Sequence, residues 1–131
     1  MPQPQVVRGD QLVVPVQTTP GVLRAEAFAS DQVWVGRVQN EAGQMSGWHV
    51  HPGHDTYGYC VSGRFVVEFG AAGGQSIEAG PGDYVLIRRG VVHREGNRSP
   101  DPNEGVIVRV GEGPVVVNLD GPEPRLDADS A

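Results

Sequence analysis

The stretch Gly47–Gly63, GWHVHPGHDTYGYCVSG, holds three of the chain's four histidines within six residues. Pro52-Gly53 and Ser62-Gly63 punctuate it as turns, and the segments between them read as short strands. On a strand, residues two apart share a face. His49 and His51 therefore point the same way, with Val50 opposite, and their Cα atoms lie about 6.5 Å apart at about 3.3 Å rise per residue. Two imidazoles so placed can meet on one ion at about 2.0–2.1 Å per bond. A pair alone is more readily read as two polar side chains on a solvated face.

Outward from this stretch the chain keeps one texture. Nineteen glycines and eleven prolines fall between short Val-rich runs. Examples are QVWVGRVQ (32–39), RFVVEF (64–69), YVLI (84–87), GVIVRV (105–110) and PVVVNL (114–119). About ten such runs separated by turns predict an all-β sandwich or barrel with little or no helix. GVLRAEAFAS (21–30) is the one candidate for a short helix. Pro15 makes the first run, LVVPV (12–16), an edge or exchanged strand. The expected organisation is N-terminal strands over 1–30 suited to dimerisation, a barrel over 31–119, and a loosely ordered polar tail over 120–131.

Composition narrows the function classes. The chain has 131 residues and a formal net charge of −6. All its basic residues are scattered arginines, so it lacks the cationic patch that phosphate backbones require. No apolar run approaches the roughly 20 residues of a membrane span. A lone Cys60 leaves no internal disulfide, and a reducing cytoplasm is the expected compartment.

The glycines carry the next step. Gly43 stands six residues before His49, and Gly63 seven after Thr56. Downstream, Gly82, Arg88, Gly90, His93 and Asn97 are spaced G-x5-R-x-G-x2-H-x3-N. The two segments resemble the paired signature motifs of the cupin superfamily, G-x5-H-x-H-x3/4-E-x6-G and G-x5-P-x-G-x2-H-x3-N, over roughly residues 36–110. This resemblance implies a double-stranded β-helix, a jelly-roll barrel of two packed sheets, and a homodimer. It also implies that His49, His51 and His93 are metal ligands. Three imidazoles favour a divalent transition metal. Iron is the first expectation, with zinc, nickel, manganese or copper as alternatives.

Two positions depart from the motifs. The family's acidic ligand is Thr56 here, which leaves either three histidines alone or a fourth ligand from Asp55 or His54. Strand parity from Thr56 disfavours Asp55. His54 is also a candidate general acid or base. Arg88 replaces the family's proline; it is either a carboxylate clamp for substrate or a solvated turn residue paired with Glu95 or Asp83. Tyr57 and Tyr59 should face away from Thr56 and Cys60, and Asn97 should fix a turn. Three functions follow: an iron(II) oxygenase acting on a small chelating molecule, a non-redox metal-dependent cyclase or isomerase, or a non-enzymatic small-molecule-binding barrel.

Overall fold

The computed structural model describes residues 2–15 and 21–124. Ten strands run in chain order: β1 (Val22–Ala29), β2 (Val33–Asn40), β3 (His49–Val50), β4 (His54–Ser62), β5 (Phe65–Phe69), β6 (Gln75–Ala79), β7 (Tyr84–Ile87), β8 (His93–Gly96), β9 (Asn103–Gly111) and β10 (Val117–Asn118). They form two five-stranded sheets, ordered β1-β2-β9-β4-β7 and β10-β3-β8-β5-β6. Every ladder between strands is antiparallel. The all-β architecture expected from the turn spacing is what the chain adopts, in the jelly-roll form that the resemblance implies.

The segment 21–30 is a strand, not a helix. β1 pairs with β2 from Val22↔Asn40 to Ala29↔Trp34, and a bulge between Glu26 and Phe28 shifts the register. A bulge breaks the period-two alternation that identifies a strand from sequence, which is why the segment read ambiguously. Within the first run, Val13 makes an isolated antiparallel bridge to Glu26. Its last residue, 16, and the tail from 125 lie outside the described residues.

Alternation sets the inner faces. On β4, His54, Thr56 and Cys60 are buried while Tyr57 and Tyr59 are exposed. The buried apolar set is small and mostly aliphatic, with Val22, Val38, Val66, Val67 and Ile87 among its members. Each such side chain contributes about 1.5–3 kcal/mol on burial. The inner faces leave a cavity between the sheets.

The turns of the two motifs are fixed by specific contacts. Gly63 adopts φ +74°, and a side chain there would meet the Pro102 carbonyl at 2.6 Å. Gly90, at φ +83°, donates its N–H to the His51 carbonyl at 3.0 Å. That bond ties the turn before β8 to the residue following β3. Asn97 is completely buried. Its amide donates to the Asp101 carbonyl at 2.6 Å, and its carbonyl oxygen accepts from Ser99 N–H at 2.9 Å. It holds the loop between β8 and β9, as its place in the second motif suggests.

Candidate metal centre

His49 and His93 are direct cross-strand partners, since β3 and β8 pair at that single register position. His51 follows β3 on the same face. The three rings pack at centroid separations of 5.0, 4.3 and 5.4 Å. One ring nitrogen of each lies within 4.8 Å of those of the other two. All three side chains are buried, His93 completely.

Each ring is oriented through its other nitrogen. Nδ1 of His49 lies 2.8 Å from the Gly47 carbonyl, Nδ1 of His51 2.6 Å from the Val115 carbonyl, and Nδ1 of His93 2.8 Å from the Val91 carbonyl. A carbonyl only accepts, so each Nδ1 carries the proton and each Nε2 keeps a lone pair. Three lone pairs fixed in this way and aimed at one another match the arrangement that metal-binding histidines require. Burial keeps them available. It pulls His51 down to about 4 and also lowers His49, with Glu95 partly opposing it there. Burial lowers His93 too, but the adjacent Glu95 carboxylate outweighs this and raises it overall. A divalent cation at the Nε2 atoms would satisfy Glu95 in place of that proton. The site therefore fits a transition metal, and the donor set leaves open which one.

Glu95 is the residue that sequence reasoning overlooked as part of the site. It lies two residues after His93 on β8 and so shares its face. Its Oε2 lies 3.0 Å from His93 Nε2 and its Oε1 3.8 Å from His49 Nε2. Burial pushes this carboxyl up, yet the three histidines, His93 foremost, hold it near 2. Arg94, between them, faces the other way. It donates to Glu68, its ladder partner on β5, and its guanidinium lies 5.0 Å from the centre of the Trp48 ring. Arg98 grips the second oxygen of Glu68. This outer clamp holds β8 with His93 and Glu95 turned inward.

The other sequence-selected residues fall elsewhere. Thr56 lines the cavity, and its buried hydroxyl has no hydrogen-bond partner. Asp55 is turned to Arg89, accepting from its backbone N–H at 2.8 Å and from its guanidinium at 3.1 Å. That pairing holds the Asp55 carboxyl below its usual range and removes it from the histidines. His54 is buried with an unpartnered Nδ1, yet it is neither in the three-histidine group nor in the cavity lining. Arg88 is exposed and does not line the cavity. Its suggested partners are engaged: Glu95 with the histidines, and Asp83 with Gly80 N–H at 2.8 Å.

The arginines of the cavity are instead Arg24 and Arg109. Arg109 is the ladder partner of Thr56. Its guanidinium carbon lies 5.7 Å from the centre of the Trp34 ring, and Trp34 is pinned by an Nε1–H bond to Glu26 at 2.8 Å. The Nε of Arg109 is buried without a partner. Burial lowers its pKa, but an arginine so shifted stays cationic. The cavity, about 440 Å³, is of the size that holds a small organic molecule.

Solved structures of similar shape include an uncharacterised conserved protein with a double-stranded β-helix domain from Klebsiella pneumoniae. It is 21% identical, with TM-score 0.70, covering 90% of this chain and 99% of that one. KdgF from a Halomonas species is also 21% identical, with TM-score 0.69, covering 85% and 96%. Oxalate decarboxylase from Bacillus subtilis is 20% identical, with TM-score 0.65 over 77% of this chain, but only 28% of that longer chain is spanned. These likenesses concern the fold. No curated protein matches the chain at a significant level. The model of the cupin domain matches residues 36–109, the span that carries both glycine-histidine motifs and all three clustered imidazoles. With this match over more than half its length, the chain belongs to the cupin family.

Proposed function

We propose that the protein is a metal-dependent oxygenase, iron(II) being the first expectation, acting on a small, oxygen-chelating carboxylate or enol. The observation that carries this reading is a cavity lined by His49 and His51, whose Nε2 atoms converge with that of the wholly buried His93, and by Arg109 and Thr56, whose buried Nε and Oγ1 have no partner. Unpaired buried donors are costly, and an anionic oxygen of a ligand would satisfy both. When bound, the metal supplies Lewis acidity and, as iron, one-electron chemistry toward dioxygen. The chain's own residues do the rest. Arg109, braced by Trp34, binds and orients the anion. The aliphatic walls, Val38, Val67 and Ile107 among them, limit water. Oxalate decarboxylase, by its name, acts on such a small chelating acid, which supports the substrate class. For the non-redox alternative, His54 stands outside the cavity lining and so is not its proton carrier.

The test is oxygen consumption by iron(II)-loaded protein offered a panel of 2-oxo, 2-hydroxy and enolic acids. We expect uptake that depends on one class of them. Arg109→Ala should raise KM by about 10- to 100-fold, matching the roughly 1.5–3 kcal/mol of a charge-assisted hydrogen bond. Zinc-loaded protein that turns over the same acids without oxygen would sink the oxygenase reading.

A further inference from the structure

We propose that Glu95 supplies the metal carboxylate that this chain lacks at Thr56, so that the ligand set is His49, His51, His93 and Glu95. The proposal rests on the metal-binding reading above and adds to it a ligand outside the family's motif positions. Thr56 is on β4 of one sheet, while Glu95 is on β8 of the other, two residues beyond His93. The acidic donor has thus moved across the barrel while the ion's place is kept.

Three observations carry it. First, among the described residues, the groups that pair with the Glu95 carboxylate within 4 Å are the Nε2 atoms of His93 and His49. Other partly or fully buried acids have other partners: Glu68 pairs with Arg94 and Arg98, Asp55 with Arg89 and Glu104 with Arg37, and Glu26 accepts from Trp34 Nε1–H. Second, the 3.0 Å separation of Glu95 Oε2 and His93 Nε2 lacks hydrogen-bond alignment, for Nε2 remains without a hydrogen-bond partner. Two donors bound to one ion at about 2.1 Å and at right angles lie about 3.0 Å apart. The spacing is that of neighbouring ligands around a shared centre. Third, β8 is fixed from outside by the Arg94–Glu68–Arg98 cluster, so Glu95 reaches the histidines from a held strand rather than from a loop.

A carboxylate here leaves a net charge of +1 on a divalent site, where three neutral imidazoles alone would leave +2. In a six-coordinate shell, four protein ligands would leave two positions for substrate and a second small ligand.

Metal-free protein titrated with Co(II), followed by calorimetry and by visible absorption, tests this directly. The wild type should bind one equivalent. Glu95→Gln, nearly isosteric and placed at an open cavity wall, should weaken binding by more than the roughly 10- to 100-fold that loss of an outer-shell partner costs and shift the ligand-field bands, because the coordination shell itself changes. Adding Thr56→Glu to Glu95→Gln should recover most of the affinity by restoring a carboxylate at the family's usual place. Glu95→Asp, which keeps the charge but shortens the reach, should fall between the wild type and Glu95→Gln. Tight Co(II) binding with bands unchanged in Glu95→Gln overturns this assignment while leaving the three-histidine site standing. Absence of stoichiometric Co(II) binding by the wild type overturns both.

Discussion

His93→Ala should reduce divalent metal affinity by on the order of 1,000-fold, beyond the roughly 10–100-fold that loss of an outer-shell partner costs. The reason is positional. His93 is the one imidazole of the cluster supplied by the second motif, it is wholly buried, and it stands directly opposite His49 across the β3–β8 ladder. Removing it takes away one Nε2 and leaves the other two histidines spanning an open edge. It also leaves Glu95 without its nearest cationic or metal-linked neighbour at 3.0 Å. Calorimetric titration with Zn(II) or Co(II) measures the loss, with circular dichroism to show that the barrel is retained. A variant that binds metal as tightly as the wild type would remove His93 from the ligand set.

The second large effect is a pH dependence of the metal-free protein. His51 is held near 4 by burial, against about 6.5 in an unfolded chain. Below pH 6.5 the unfolded state therefore binds a proton that the folded state refuses. Stability falls as pH drops from 6.5 to about 4 and is independent of this group above that window. A gap of this size corresponds to about 3 kcal/mol. His49 is shifted in the same direction and adds to the effect. His93 is raised by Glu95 and opposes it, since its contribution is present below 6.5 and lost as pH rises through its folded value. Glu95 itself contributes above its unfolded value near 4.5 and loses that contribution only toward pH 2. The His51 share is isolated by comparing wild type with His51→Asn in urea unfolding with chelator present. The variant should gain about 3 kcal/mol relative to wild type between pH 6.5 and 4. A difference that stays constant across that window would mean the ring is not held neutral by burial.

Much of this site was legible from residue order alone. Glycine spacing around His49, His51 and His93 pointed to the barrel, and strand parity put Tyr57 and Tyr59 on the face opposite Thr56 and Cys60, a division that the burial of β4 follows. Glu95 was within reach of the same reasoning. The period-two rule that joined His49 to His51 also joins His93 to Glu95, but the residue sits outside the motif's ligand positions and was passed over. Arg109 had a signal too. In VIVRV the valines at 106, 108 and 110 take one face, so the arginine shares the other with Ile107, and a lone charge on an inner face marks a site. What could not be read was which face is inner, because that depends on how two sheets distant in sequence close on each other. Arg88 drew notice through its place in a motif, yet the side chain is exposed and does not line the cavity. The segment 21–30 misled because a bulge interrupts its alternation.

Crystals grown with the bound metal, measured on either side of its absorption edge, test the central claim most directly. A single anomalous peak about 2.0–2.2 Å from the Nε2 atoms of His49, His51 and His93 is the predicted result. A map from metal-replete protein with no peak among those three nitrogens would contradict it.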